Sequence, residues 1–294
     1  MVAHFPLLSS RRHLPLWVTV AICLFSSCAG AQELPRGFAK HLPAISSGEE
    51  RNRQSDLRIM EVQFKPMRMT IVDMKDHKTG QMVKKEVWYL VYRCITRPSE
   101  GRIDNTDTVP VNAIENPPRT PMFAPEFVLT VYDDPKTPIP TETHFDQVIP
   151  EAVLAVRGIE ERPAGLFVIK DSLEIVQDFP SATDPEALPE DQKWLYGVAT
   201  FTDIDPETDY FMVSMRGFTN AFEMRNDPDG NPIPWRKTVT QKYTRLGDRF
   251  DPTQREFGFD GDPEWGYQPD SDAVRKVIAP IIEQTAPSTP IASP

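Results

Sequence analysis

The chain is predicted to be mainly β: an antiparallel, immunoglobulin-like β-sandwich with one short inserted helix and a C-terminal helix. Three observations predict this. Proline makes up 30 of the 294 residues, about twice ordinary usage. The apolar runs are short and rich in β-branched and aromatic residues, as in VWYLVYRCI at 87–95. Turns of Pro, Gly and Asp divide these runs, a rhythm that suits an antiparallel sandwich better than a parallel α/β sheet.

Taken in order, residues 32–54 are polar and aperiodic and read as a flexible leader, so the sandwich domain is expected over 55–270. Residues 69–73 and 87–95 flank a polar turn at 75–81 that contains Gly80, which predicts a β-hairpin. Alternation along 87–95 puts Trp88, Leu90, Tyr92 and Cys94 on one face and Val87, Tyr89, Val91 and Arg93 on the other. Two apolar faces mark a central strand. Six prolines between 98 and 125 make that stretch a loop. Residues 126–132 are the next strand. Residues 150–157 read as a helix, with Pro150 at its first position and Gly158 as its C-terminal cap. Residues 166–169 and 173–176 are expected to be short strands, and 194–201 and 210–218 a second hairpin joined by 202–209. Residues 236–244 are a polar strand, expected at a sheet edge, with Val239, Gln241 and Tyr243 in register. Residues 250–271 look irregular. Val274, Val277, Ile278, Ile281 and Ile282 share one helical stripe, which predicts a C-terminal helix over 271–286, interrupted by Pro280. The Pro/Ser/Thr-rich stretch 287–294 reads as a disordered tail.

The N-terminus has the three-part layout of a secretory signal peptide over 1–31: Arg11 and Arg12, an apolar core at 14–25, then Ala29-Gly30-Ala31. The apolar core is shorter than the ~20 residues a membrane-spanning helix needs. Cleavage after Ala31 is favoured over lipidation at Cys28, because Phe25 stands where a lipoprotein box usually has leucine. The arginine pair also admits a twin-arginine reading, against which Pro15 counts. Loss of this segment leaves 30 basic residues against 43 acidic ones, a net charge of −13. Such a balance argues against a nucleic-acid partner and against docking on anionic lipid. It suits a periplasmic or extracellular protein without a transmembrane helix in its mature form. Of three cysteines only Cys94 lies outside the segment, so no intramolecular disulfide is expected.

Residues with chemical potential are few. Asp203, Asp205, Glu207 and Asp209 alternate along 202–209 and are candidate oxygen ligands for a cation. Counted from Asp203, however, Thr208 and Ser214 stand where a calcium loop needs Gly and Glu. Turn chemistry explains these acids as well, and likewise 226–231 and 260–263. Trp235 and Trp265 follow proline-rich turns and are candidate sugar-stacking platforms, whereas Trp88 sits in an apolar strand. His41, His77 and His144 are far apart, without zinc spacing. The sequence contains no nucleophile elbow, phosphate loop or dinucleotide fingerprint. Cys94 shares a strand face with Trp88, Leu90 and Tyr92 and reads as an inert core thiol. No catalytic residue and no cofactor are expected.

Four segments carry a resemblance. VWYLVYRCITR, PEAVLAVRGIEER, YGVATFTDIDPETDYFMVSMRGFTNAF and RKTVTQKYTRLGDRFD are similar to an uncharacterised family of exported proteins from planctomycete-type bacteria. The likeness covers most of residues 57–267. It implies one contiguous domain and export across a Gram-negative-type envelope, and it carries no catalytic residue over. The expectation is therefore an exported non-enzymatic protein, structural or interaction-mediating, with a cell-envelope protein or glycan as partner. A carbohydrate- or cation-binding module is the first alternative. A carboxylate-dependent hydrolase is the second.

Overall fold

The computed structural model describes residues 37–54, 56–76, 79–97, 122–136, 139–161, 167–180, 194–227, 229–245 and 256–269. All of them belong to one compact unit, 35–294. The expected signal segment, Cys28, the C-terminal helix and the tail lie outside the described residues.

Two antiparallel sheets face each other. The first is built on β4 (Met82–Thr96). One edge of β4 pairs with β2 (Met60–Phe64) and, further along, β3 (Arg68–Lys75); its other edge pairs with β9 (Leu195–Thr202). β1 (Lys40–Leu42) pairs with β2. The second sheet is built on β12 (Pro232–Thr244). β10 (Tyr210–Arg216) and β11 (Phe222–Asn226) pair with β12, and so does β13 (Gly258–Pro269). β6 (Glu126–Tyr132) and β7 (Pro140–Phe145) extend this sheet beyond β10. A small third pairing joins β5 (Met122–Phe123) to β8 (Gln177–Asp178).

The core between the sheets is supplied by alternate residues: Met60, Val62 and Phe64; Trp88, Leu90, Tyr92 and Cys94; Phe127, Leu129 and Val131; Phe211, Val213 and Met215; Val239 and Tyr243. The opposite face of β4, with Tyr89, Val91 and Ile95, is also buried. It is covered in part by α2 (Pro150–Glu160), which lays Val153 and Val156 against it. The two-faced apolar pattern of β4 thus reflects a sheet covered on both sides. At Gly197, opposite Tyr92 in the pairing of β4 with β9, a Cβ would lie 2.3 Å from the buried tyrosine ring. Only glycine lets that ring cross the strand.

Several segments differ from the sequence reading, each for a physical reason. The expected leader is structured over 40–54. It contains β1 and α1 (Gly48–Arg53), whose first turn is closed by a reciprocal pair of bonds between Ser47 and Glu50. The segments 194–201 and 210–218 do form strands, but not a hairpin. β9 joins the first sheet and β10 the second, so 202–209 crosses between them. β12 is interior, not an edge: its polar residues Lys237, Thr238 and Gln241 are buried by neighbours on both sides. Residues 258–269 are a strand rather than irregular. Residues 172–175 are a turn, and near 166–169 there is one isolated parallel bridge, Lys170 to Gly197. Helix α2 runs past Gly158 to Glu160 and is capped by Glu161.

Candidate functional site

Among the described residues, the largest concentration of buried charge sits where β2 breaks into β3. In the pairing with β4, Phe64 lies opposite Tyr92 and Arg68 opposite Tyr89, so Lys65, Pro66 and Met67 face only Leu90 and Val91. This is a β-bulge, at a proline that has no amide hydrogen to give the ladder. Strand residues three apart normally point to opposite faces. The extra residue turns both Lys65 and Arg68 outward, while Met67 stays in the core. The bulge is pinned from two sides, by Lys65 N–H donating to Val91 O (2.9 Å) and Phe257 N–H donating to Met67 O (2.9 Å).

Helix α2 brings the counter-charge. Its buried face holds Ala152, Val153, Val156 and then Glu160, four residues beyond Val156 and therefore on the same stripe. A carboxylate in the last turn of a helix is disfavoured by the helix dipole. Here it is compensated directly: Lys65 Nζ donates to Glu160 Oε2 (2.9 Å), and Arg68 Nη1 and the Tyr89 hydroxyl donate to Oε1 (2.6 and 3.2 Å). Arg68 Nε also donates to Glu256 (2.8 Å). Side-chain exposure is 3% for Glu160, 7% for Lys65 and 10% for Arg68. Burial alone pushes the Glu160 carboxyl up, but the hydrogen bonds and charges of Lys65 and Arg68 outweigh it, and its pKa lies below the ordinary value. Burial, and then the charge of Glu160, push the Tyr89 phenol far up.

Beside this cluster is a cavity of ≈ 330 Å³. Lys65, Arg68 and Glu160 form its charged floor, and Phe38, Ile159 and Phe167 its apolar walls. Phe167 is stacked on Tyr196, with ring centroids 4.2 Å apart, and Phe38 lies 6.0 Å from the same ring. Arg93 covers Phe38 from outside, 4.4 Å from its centroid. The walls are thereby held in place by packing.

A second buried pair joins β12 to α1. Lys237 on β12 donates to Glu50 on α1 (2.8 and 2.9 Å) and to Ile45 O (2.8 Å), and the Tyr267 hydroxyl donates to Glu50 (2.6 Å). Burial pushes the Glu50 carboxyl up, but the bonds from Lys237, Tyr267 and the Ser47 N–H outweigh it, and its pKa lies below the ordinary value. Asp146 behaves differently: burial dominates and raises it. Its bonds to the Ser172 hydroxyl and the Thr200 N–H tie the β7–α2 connection to the 172–175 turn and to β9.

The residues singled out from sequence are placed as follows. Asp203 does not line a cavity with the other three acids; it pairs with Lys85 (2.9 Å), whose hydrogen bond holds its pKa low, and accepts from the Thr202 hydroxyl (3.1 Å). Asp205, Glu207 and Asp209 do share a second cavity of ≈ 390 Å³, with Asp133, Glu142 and the stacked rings of Tyr132 and Tyr210. Asp205 accepts from the Glu207 N–H (2.8 Å), as a turn residue does. Among the described residues no group of three or more His, Cys, Asp or Glu side chains is placed to hold a metal ion. Trp235 and Trp265 are half-buried, not free platforms. The guanidinium of Arg225 covers Trp235 at 4.1 Å, while Trp265 donates to Pro43 O (3.0 Å) and lies under Lys237. Cys94 is free and fully buried, and burial pushes its thiol pKa well up.

Sequence reasoning missed Lys65, Arg68, Glu160 and Glu50. Two local signals pointed toward them. Pro66 marks the strand break, and Ser47-Gly48-Glu49-Glu50 is a helix-start signature. No family model, curated protein or solved structure matches this chain.

Proposed function

We propose that the chain is an exported, non-enzymatic protein of the periplasm or cell envelope, structural or interaction-mediating, that works by binding rather than turnover. The observation that carries this reading is the state of its buried glutamates. Glu50 and Glu160 are each held by a buried lysine and lie below the ordinary carboxyl value. General acids and bases work best with a pKa near the operating pH, and these two are driven the other way. The raised carboxylate, Asp146, lines neither cavity. Fixed charges under apolar walls are the build of a binding cavity. The signal-like layout of residues 1–31 and the acidic balance of the remainder support the compartment.

Two measurements test the reading. Intact mass of the exported protein should show a chain starting at Gln32; a chain starting at an acylated Cys28 would make it a lipoprotein. The mature protein should show no turnover in a broad hydrolase screen. Turnover abolished by one Asp or Glu substitution would overturn the non-enzymatic reading. Saturable binding on a glycan array would move it to the carbohydrate-binding alternative, for which the covered faces of Trp235 and Trp265 offer little support.

A further inference from the structure

We propose that the outer edge of β7 is a self-association surface, where two copies of the chain pair antiparallel about a two-fold axis at Thr143 and join their second sheets into one. This surface is separate from the cavity beside Glu160, and its use does not depend on the non-enzymatic reading.

An edge strand presents a row of N–H and C=O groups without ladder partners. In the first sheet the chain itself closes the edge of β9. Lys170 N–H donates to Tyr196 O (3.0 Å), Val198 N–H to Lys170 O (2.9 Å), Gln147 N–H to Thr200 O (2.9 Å) and Thr200 N–H to Asp146 Oδ1 (2.7 Å). β7 is the last strand of the second sheet, beyond β6. Among the described residues nothing pairs with its far side, and every residue of it except His144 is exposed. Ile139 and Phe145, at its two ends, are 66% and 61% exposed. The direction of its free groups follows from one bond: Asp146 N–H donates to Phe127 O (3.1 Å) on β6. Backbone bonding alternates along an antiparallel strand, so His144 and Glu142 bond toward β6, while Thr143 and Phe145 turn N–H and C=O outward.

The side chains select the partner. Glu142 lies opposite Val131 and His144 opposite Leu129, so both sit on the core side of the edge, and the His144 ring is 3.1 Å from the Glu142 carboxylate. Inward-facing charge on an edge strand deters indiscriminate strand addition. An apolar strand laid along β7 would desolvate Glu142 and give it no partner. A second copy supplies one. With the axis at Thr143, that residue meets its own copy as a bonded pair, with two reciprocal N–H···O bonds. Glu142 then lies opposite His144 of the second copy, and His144 opposite its Glu142, at the unbonded pairs where side chains approach most closely. Pro140 falls opposite Asp146 of the second copy, also at an unbonded pair, where its missing N–H costs nothing. The Ile139 end of each strand comes beside the Phe145 end of the other, and the exposed apolar groups cover one another. A shift of one residue would put Glu142 opposite Thr143 and set outward-turned groups against inward-turned ones, so the self-complementary register is a specific one.

The test is sedimentation equilibrium of the full mature chain at pH 7 from about 10 to about 500 μM, a range suited to the weak dimer that a short edge makes. The chain should pass from monomer to dimer and stop there, because a two-fold pairing uses up the edge. Thr143→Pro removes an N–H that points away from β6, so it should leave the fold intact and weaken association at least about tenfold. His144→Glu sets carboxylates against each other across the axis and should weaken it likewise; adding Glu142→His should restore the dimer. Thr143→Cys should give a disulfide-linked dimer on mild oxidation, since the Cα atoms of a bonded pair lie about 5.5 Å apart. Lys84→Cys, exposed on β4, should not. A thermal melt reports whether each variant folds; if Thr143→Pro does not, the Glu142–His144 exchange and the cross-link decide. A chain that stays monomeric across the range, a dimer indifferent to Thr143→Pro, or an exchange that fails to restore association would each overturn the proposal. Slow hydrogen exchange at the Thr143 and Phe145 amides of a monomeric chain would overturn it too, by assigning the edge to another segment of the same chain.

Discussion

Replacing Glu160 with glutamine keeps the shape of the side chain and removes its charge. In the folded protein that takes the shared carboxylate from Lys65 and Arg68, at 7% and 10% side-chain exposure, while Arg68 keeps its bond to Glu256. Breaking a buried ion pair by neutralising one member costs about 3–5 kcal/mol, because the remaining charge is buried without compensation. The introduced amide would retain one acceptor oxygen, which places the expected loss near the lower end, about 3 kcal/mol. Urea unfolding followed by tryptophan fluorescence measures it from the shift of the midpoint. In a domain of this size the melting temperature should fall by about 6–12 °C. Glu49→Gln is the control: this glutamate pairs with Arg53 but is 81% exposed, and its loss should cost less than about 1 kcal/mol. The same buried carboxylate, Glu160, sets part of the acid limb. Its folded pKa lies below the ordinary 4.5, so its contribution is complete above about pH 4.5 and disappears as pH falls from there through the depressed folded value. The difference in stability between wild type and Glu160→Gln should therefore be constant near neutral pH and shrink below about pH 4.5. A cost under about 1 kcal/mol, or two stability curves that stay parallel into acid, would refute the idea that the pair is buried and mutually dependent.

Three further outcomes are expected. Gly197→Ala should cost about 3 kcal/mol, since its Cβ would meet the Tyr92 ring at 2.3 Å; with Tyr92→Leu already present the added cost should fall below about 1 kcal/mol, and equal cost in both backgrounds would show that the clash is not the cause. Tyr243→Phe should be neutral or stabilising by up to about 1 kcal/mol, because the Tyr243 hydroxyl is fully buried without a hydrogen-bond partner among the described residues; a loss above about 1 kcal/mol in urea unfolding would reveal a bound water. Cys94 should resist iodoacetamide in the native protein and label at the rate of unfolding, and rapid native labelling would show that the thiol is accessible.

Local order was legible along the chain. Alternating apolar residues mark β4, β6, β9 and β10, and Pro150 with the stripe behind it marks α2, because strand and helix periods are properties of consecutive residues. The double-faced apolar pattern of 87–95 announced a strand covered on both sides, and β4 is one. The inertness of Cys94 followed from its place in that pattern. Even α1 was within reach, through the spacing of Ser47 and Glu50. β13 was not, because its residues are mostly polar and interrupted by Gly261 and Pro263, and it owes its strand form to pairing with β12.

Partnership was decided only by the tertiary structure. The 202–209 segment suits a hairpin turn, yet β9 pairs with β4 and β10 with β6 and β12. β9 is buried on both faces, so it belongs beneath α2, where both faces are covered. Polar Lys237 and Gln241 made β12 look like an edge, but Lys237 is neutralised by Glu50 from a distant segment and Gln241 donates to neighbouring carbonyls. The charge cluster was hidden for the same reason. Lys65 and Arg68 share a face only because a bulge shifts the register, and Glu160 reaches them only because α2 packs across that bulge. Periodicity is a property of neighbouring residues, whereas the pairing of a buried charge depends on segments that meet only in the folded state.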